Sequence, residues 1–91
     1  MKNGNEYIIK FSKQAEKDKK KLKNSGLDKN CQNILNSMKH DPFCYPPSYE
    51  KLCGELNGLY SRRINRQHRI VYEVLEETNE IHIIRMWTHY D

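Results

Sequence analysis

Arg62, Arg63, Arg66, His68 and Arg69 fall within one short stretch flanked by Tyr60 and Tyr72. Guanidinium groups are planar, bidentate donors to phosphate. Aromatic rings are stacking surfaces for unpaired bases. The stretch therefore reads either as a surface for single-stranded nucleic acid or as a solvated hairpin tip that keeps the chain soluble. Glu50 upstream, and His89 with Tyr90 downstream, add a carboxylate, an imidazole and a phenol. A carboxylate, an arginine and a histidine that share one groove can cleave RNA without a metal. A base takes the proton of a ribose 2′-OH, and a cation stabilises charge building on the phosphoryl oxygens. An acid then protonates the departing 5′ oxygen. Histidine suits the acid, because its reference pKa of about 6.5 leaves part of it protonated near neutrality. Glutamate is a weaker base, ionised but a poor proton acceptor at a reference pKa of about 4.3. Each residue alone also has an ordinary reading: Glu50 as a loop carboxylate, Arg69 as one charge on a solvated face, His89 and Tyr90 as a tail. Only the fold decides whether they meet.

The 91 residues suit one domain spanning 1–91. A chain this short has a modest core, so a shallow groove is the natural place for function. The net charge of +4 and pI of about 9.0 favour a polyanionic partner without requiring one. Cys31, Cys44 and Cys53 are odd in number and lack a C-x-x-C pair. That argues against a disulfide framework or a zinc site, and for a reducing, cytoplasmic setting. Neither a metal nor a cofactor is expected. No apolar run is long enough to cross a bilayer, so no membrane partner is expected either. The two-isoleucine patch within residues 1–12 is too short for a signal peptide.

The elements that must position these residues follow from periodicity. Glu6–Phe11 is β-branched and aromatic and predicts a strand. Ser12 is an N-cap for a lysine-rich helix with Ala15 and Leu22 as its apolar marks, broken by Asn24-Ser25-Gly26. Leu27, Cys31, Ile34, Leu35 and Met38 share one face of a second helix, which Pro42 ends. A proline-containing loop with Glu50 follows. Then come three strand-like runs around Leu59–Ile64, His68–Leu75 and Glu80–Trp87, joined by short turns at Asn65-Arg66 and Glu77-Thr78-Asn79. The expected fold class is α+β, in the order β-α-α-β-β-β, with an antiparallel-dominated sheet and a helical hairpin on one face. In the middle run Ile70, Tyr72 and Val74 should face the helices. Arg69, Val71 and Glu73 should face away.

The stretches "YEKLCGELNGLYSRRINRQHRIVY" and "WTHY" resemble the YoeB (Txe) toxins of bacterial type II toxin–antitoxin pairs, within the RelE-like superfamily. The shared pattern is a glutamate two residues before a leucine (Glu50, Leu52), then Ser61-Arg62-Arg63-Ile64, His68-Arg69-Ile70-Val71-Tyr72 and a closing His89-Tyr90. "KHDPF" fits the place where such proteins leave their second helix. The resemblance is close in the C-terminal half and one of layout in the N-terminal half. It implies a RelE-like fold and a ribosome-dependent mRNA endonuclease that cuts the A-site codon and inhibits translation. On that pattern Glu50 is the general base, Arg69 the transition-state cation and His89 the general acid, with Tyr90 orienting the RNA or supporting the acid. Arg63, and beside it Arg62, Arg66 and Lys51, are the expected RNA contacts. The implied partners are ribosome-bound mRNA, ribosomal RNA and a YefM/Axe-like antitoxin, with operator DNA reached only through the antitoxin complex. A homodimer is compatible with the resemblance. Asp91 after the His-Tyr pair and Cys53 after the motif leucine depart from the pattern. The Lys19-Lys20-Lys21 run fits ribosomal RNA or a solvated helix face. The alternatives are a non-catalytic ParE-like toxin, which resembles the same fold but lacks the acid–base set, and a plain RNA-binding module. The trio Glu50, Arg69 and His89 favours the enzyme.

Overall fold

The computed structural model describes residues 6–45 and 48–87. Strand β1 (Ile8–Phe11) leads into helices α1 (Lys13–Asn24) and α2 (Asp28–His40). Then follow β2 (Glu50–Lys51), a 3-10 turn at Gly54–Leu56, β3 (Tyr60–Arg63), β4 (Arg69–Leu75) and β5 (Glu80–Arg85). The strands form one sheet in the order β1-β5-β4-β3-β2. β1 runs parallel to β5, and the other neighbours are antiparallel. The expected α+β class stands, with a two-residue fifth strand added at the β3 edge. That strand carries Glu50, which the sequence assigns to a loop. Two residues are too few to show a period of two, so only the partner strand reveals them.

The boundary between β1 and α1 is built by one hydroxyl. Ser12 has an extended backbone, and its Oγ accepts from the Ala15 amide at 3.0 Å, capping the helix. The same Oγ donates to the Ile84 carbonyl at 2.7 Å. At its other end α1 closes with a left-handed turn at Gly26, φ 76°. The Leu27 amide returns to the Leu22 carbonyl at 2.9 Å, and the Gly26 amide to that of Lys23 at 3.2 Å. This paired closure needs a residue that tolerates positive φ, and it carries Leu27 back towards Leu22.

The helices cover the sheet face that bears Ile70, Tyr72, Ile81 and Ile83, as strand alternation predicts, with Val74 packed at the margin. Ala15 and Leu22 from α1 and Cys31, Leu35 and Met38 from α2 complete that core. Burying one leucine of this kind stabilises by roughly 1.5–3 kcal/mol. The third buried residue of α1 is Asp18, at 1% exposure. A β-bulge then breaks the alternation in β5, where Val71 pairs with Arg85 while Tyr72 pairs with Ile83. Ile81 and Ile83 point inward, and unbroken alternation would send Arg85 in after them. The extra residue leaves Arg85 exposed and turns Met86 into the core instead.

Candidate active site

Glu50 has a fixed position because β2 pairs with β3, opposite Ser61. Arg69 opens β4 and pairs with Arg63 of β3. Both lie on the face turned away from the helices, since their neighbours Arg62 and Ile70 point into the core. From there the Arg69 guanidinium reaches across β3. Its Nη1 donates to Glu50 Oε1 at 3.1 Å and lies 3.5 Å from Ser61 Oγ. The Arg69 side chain is 20% exposed and that of Glu50 is 64% exposed. An ion pair this open contributes little to stability. What it offers is a carboxylate and a guanidinium side by side at the surface, over a buried floor of Ser61 and Val71.

Arg63 stands directly across from Arg69. Like charges opposed on one sheet face repel, and an anion lodged between them removes that repulsion. Two guanidinium groups beside one carboxylate suit a phosphodiester that carries a hydroxyl next to its phosphorus. Arg66 is exposed at the tip of the β3–β4 hairpin, and Lys51 is exposed on β2. The tip is shaped by Asn65, whose Oδ1 accepts from the Gln67 and His68 amides at 2.8 Å each.

Four residues of the arginine-rich stretch and its flanks serve the fold instead. Arg62, expected as an RNA contact, is 1% exposed and points into the core rather than onto the face that carries Arg63. Its Nη2 donates to the Pro42 and Cys44 carbonyls at 2.8 and 3.0 Å, and its Nε to the Tyr72 hydroxyl at 3.2 Å. Its guanidinium also lies 5.0 Å from the centre of the Tyr49 ring. It faces inward because β-strand neighbours alternate, and Arg63 took the outward position. Tyr72 is fully buried and offers no base a stacking surface. Burial pushes its phenol up to about 12, against the opposing pull of Arg62. Tyr60 packs with Phe43, Tyr49 and Tyr72 in an aromatic cluster beneath the loop that leads to Glu50. His68 is buried and stacks on Trp87, ring centres 3.9 Å apart.

His89 and Tyr90, the remaining candidates, lie outside the described residues. Antiparallel pairing brings the end of β5 beside the start of β4, where Arg69 sits. The Trp87–His68 stack holds that end next to the residue preceding Arg69. Asp18 of α1 holds it from the core side: its Oδ2 accepts from the Met86 amide at 2.9 Å and the Trp87 amide at 3.2 Å. Sequence reasoning missed Asp18. The available signal was its position on the face of Ala15 and Leu22, where a carboxylate needs a partner.

Among the described residues, no group of three or more His, Cys, Asp or Glu side chains could hold a metal ion. Among the same residues, no helix is long and apolar enough to cross a membrane. A separate groove of about 660 Å³ opens between α1, α2 and β1, floored by Ile9, Phe11, Leu22 and Leu35.

Fold and site together define a small α+β domain, with a helical pair on one sheet face and charged groups on the other. The family described as YoeB-like toxin of bacterial type II toxin–antitoxin system matches residues 10–90, and the chain belongs to it. It is 35% identical to "Toxin YoeB" of Mycobacterium bovis over 57 residues, covering 63% of this chain and 65% of that protein's length. The toxin fold in a YoeB–YefM complex from Staphylococcus aureus superposes with a TM-score of 0.78 at 37% identity, covering 92% of this chain and 98% of that one. A YoeB dimer from Staphylococcus aureus gives 0.80 at 35% identity, covering 93% and 99%.

Proposed function

We propose that this toxin is a ribosome-dependent mRNA endonuclease that cuts the A-site codon and so inhibits translation. The observation that carries the reading is the 3.1 Å contact between Glu50 and Arg69 on the exposed sheet face. In RNA the 2′-oxygen and the neighbouring phosphoryl oxygens lie within one nucleotide of each other, so their base and their cation must also be neighbours. Glu50 takes the 2′-OH proton, and the 2′-oxygen attacks phosphorus. Arg69, with Arg63 across from it, stabilises the added negative charge on the phosphoryl oxygens. His89 gives a proton to the departing 5′-oxygen, and Tyr90 orients the RNA or supports the acid. The products are a 2′,3′-cyclic phosphate and a 5′-OH. The reaction needs no metal, because side chains supply all three roles. Arg66 and Lys51 hold flanking phosphates.

Ribosome-bound mRNA and ribosomal RNA are the proposed substrate and platform. By analogy with the complex and the dimer in Staphylococcus aureus, a YefM-like antitoxin and a second copy of this chain are proposed partners. Operator DNA is contacted through the antitoxin complex. The test is primer extension on a defined message in purified, programmed ribosomes. A-site cuts are expected. Glu50→Gln should slow them roughly 10²–10⁴-fold, and Arg69→Ala roughly 10²–10³-fold, each with an unchanged melting temperature. Stalled ribosomes carrying intact mRNA would leave a toxin that acts by binding alone.

A further inference from the structure

The buried carboxylate of Asp18 has no part in the chemistry above, yet it is committed to one short piece of chain. Its Oδ2 accepts the Met86 and Trp87 amides, and its Oδ1 accepts from Gln14 Nε2 at 3.0 Å. Nearly two turns earlier, at the N-cap of the same helix, Ser12 holds the bulge in β5. Its hydroxyl donates to the Ile84 carbonyl, and its amide donates to the Ile83 carbonyl at 3.0 Å. The first turns of α1 thus grip β5 at two consecutive places, both at or just beyond the bulge. Past Arg85, the last residue of β5 paired with β4, no ladder is left to define the path of Met86 and Trp87. Met86 and Trp87 lie three and two residues before His89 in the sequence. They sit beside the start of β4, where Arg69 emerges.

A carboxylate in this position is costly unless it is fully used. A leucine would fill the same core space, as Leu22 does one turn further along. The amides it receives belong to backbone that has left the sheet and would otherwise need water or a partner. We propose that Asp18 is a positioning residue for catalysis: it fixes the backbone at Met86 and Trp87, the anchor from which the sequence runs on to His89, the acid of the proposed reaction. This rests on the proposed cleavage reaction. The acting link is geometric, since a displacement of about 1 Å at a reacting group lowers a rate roughly 10²-fold. The Trp87–His68 stack is the lateral half of the same clamp.

The experiment measures amide hydrogen exchange in the wild-type toxin and single-turnover cleavage by Asp18→Asn on programmed ribosomes. In the wild type, the Met86 and Trp87 amides should exchange as slowly as those of β5. Exchange as fast as in an unstructured chain overturns the proposal without any variant. Asp18→Asn should lower the cleavage rate constant roughly 10- to 100-fold, with the half-saturating ribosome concentration changed less than about threefold. The high-pH limb of its rate profile, which reports the acid, should flatten. A merely structural role lowers the amplitude and leaves the profile's shape intact, and that result overturns the proposal. A wild-type rate in Asp18→Asn does so too. If Asp18→Asn does not fold, Gln14→Ala decides. It leaves the buried carboxylate in place with one donor fewer and should slow cleavage about two- to fivefold with the same flattening. An unchanged rate and profile overturn the proposal. Intact mRNA with the wild-type toxin would refute the cleavage reading itself, a result separate from any difference between variants.

Discussion

Arg62→Met separates an arginine that builds the fold from arginines that meet RNA. Methionine keeps most of the buried volume and removes the guanidinium. Two charge-assisted bonds to carbonyls are lost, to Pro42 and to Cys44, together with the contact to the Tyr72 hydroxyl. Hydrogen bonds to a charged group are worth about 1.5–3 kcal/mol each. The Pro42 carbonyl keeps a donor, because the Tyr72 hydroxyl reaches it at 3.3 Å. Removing a buried charge also returns part of its desolvation cost. The net loss is then about 2–4 kcal/mol, a large part of the stability of a small domain. For a chain of this length that lowers the melting temperature by roughly 10–25 °C. Thermal unfolding followed by far-ultraviolet circular dichroism measures it. RNA binding over a range of salt, well below the variant's melting point, supplies the second readout. Arg62→Met should keep the wild-type salt slope, whereas Arg63→Met should reduce it. A melting temperature within about 3 °C of wild type, with weakened RNA binding, would refute this reasoning.

Two further outcomes follow from groups whose acidity burial changes. Burial, reinforced by Asp28, pushes the Cys31 thiol up to about 11, while Cys53 is exposed. At pH 8 Cys31 is roughly a thousandth thiolate, so a thiol-reactive disulfide should label Cys53 at once and Cys31 only on unfolding. Prompt labelling of Cys31 in the folded protein would contradict its burial. Tyr72 keeps its proton in the fold up to about pH 12, but gives it up near 10 once unfolded. Its contribution is complete below pH 10 and is lost as pH rises towards 12. Urea midpoints should fall across that window in the wild type and less steeply in Tyr72→Phe. Equal slopes would assign alkaline unfolding to other groups.

The sequence determined the elements with strong local signals. α2 was legible because Cys31, Leu35 and Met38 recur at helical spacing. The start of α1 was legible because Ser12 is a cap residue, and the inward face of β4 because Ile70 and Tyr72 alternate. The family was readable from a motif of residue types in order, and the family match over residues 10–90 bears that out. What each arginine does was not readable. Arg62 and Arg63 are chemically identical neighbours, and only the register of β3 sends one into the core and the other to the surface. The bulge in β5 was equally invisible, because Ile81, Ile83 and Arg85 look like one unbroken alternation. A hydroxyl more than seventy positions earlier stabilises the break. Asp18 belongs with these: an acid among lysines reads as a solvated charge until its Oδ2 meets the Met86 and Trp87 amides. Local propensity and periodicity act over a few residues and are written in order along the chain. Register, bulges and buried polar pairing depend on which distant segment arrives opposite, and only the folded sheet decides that.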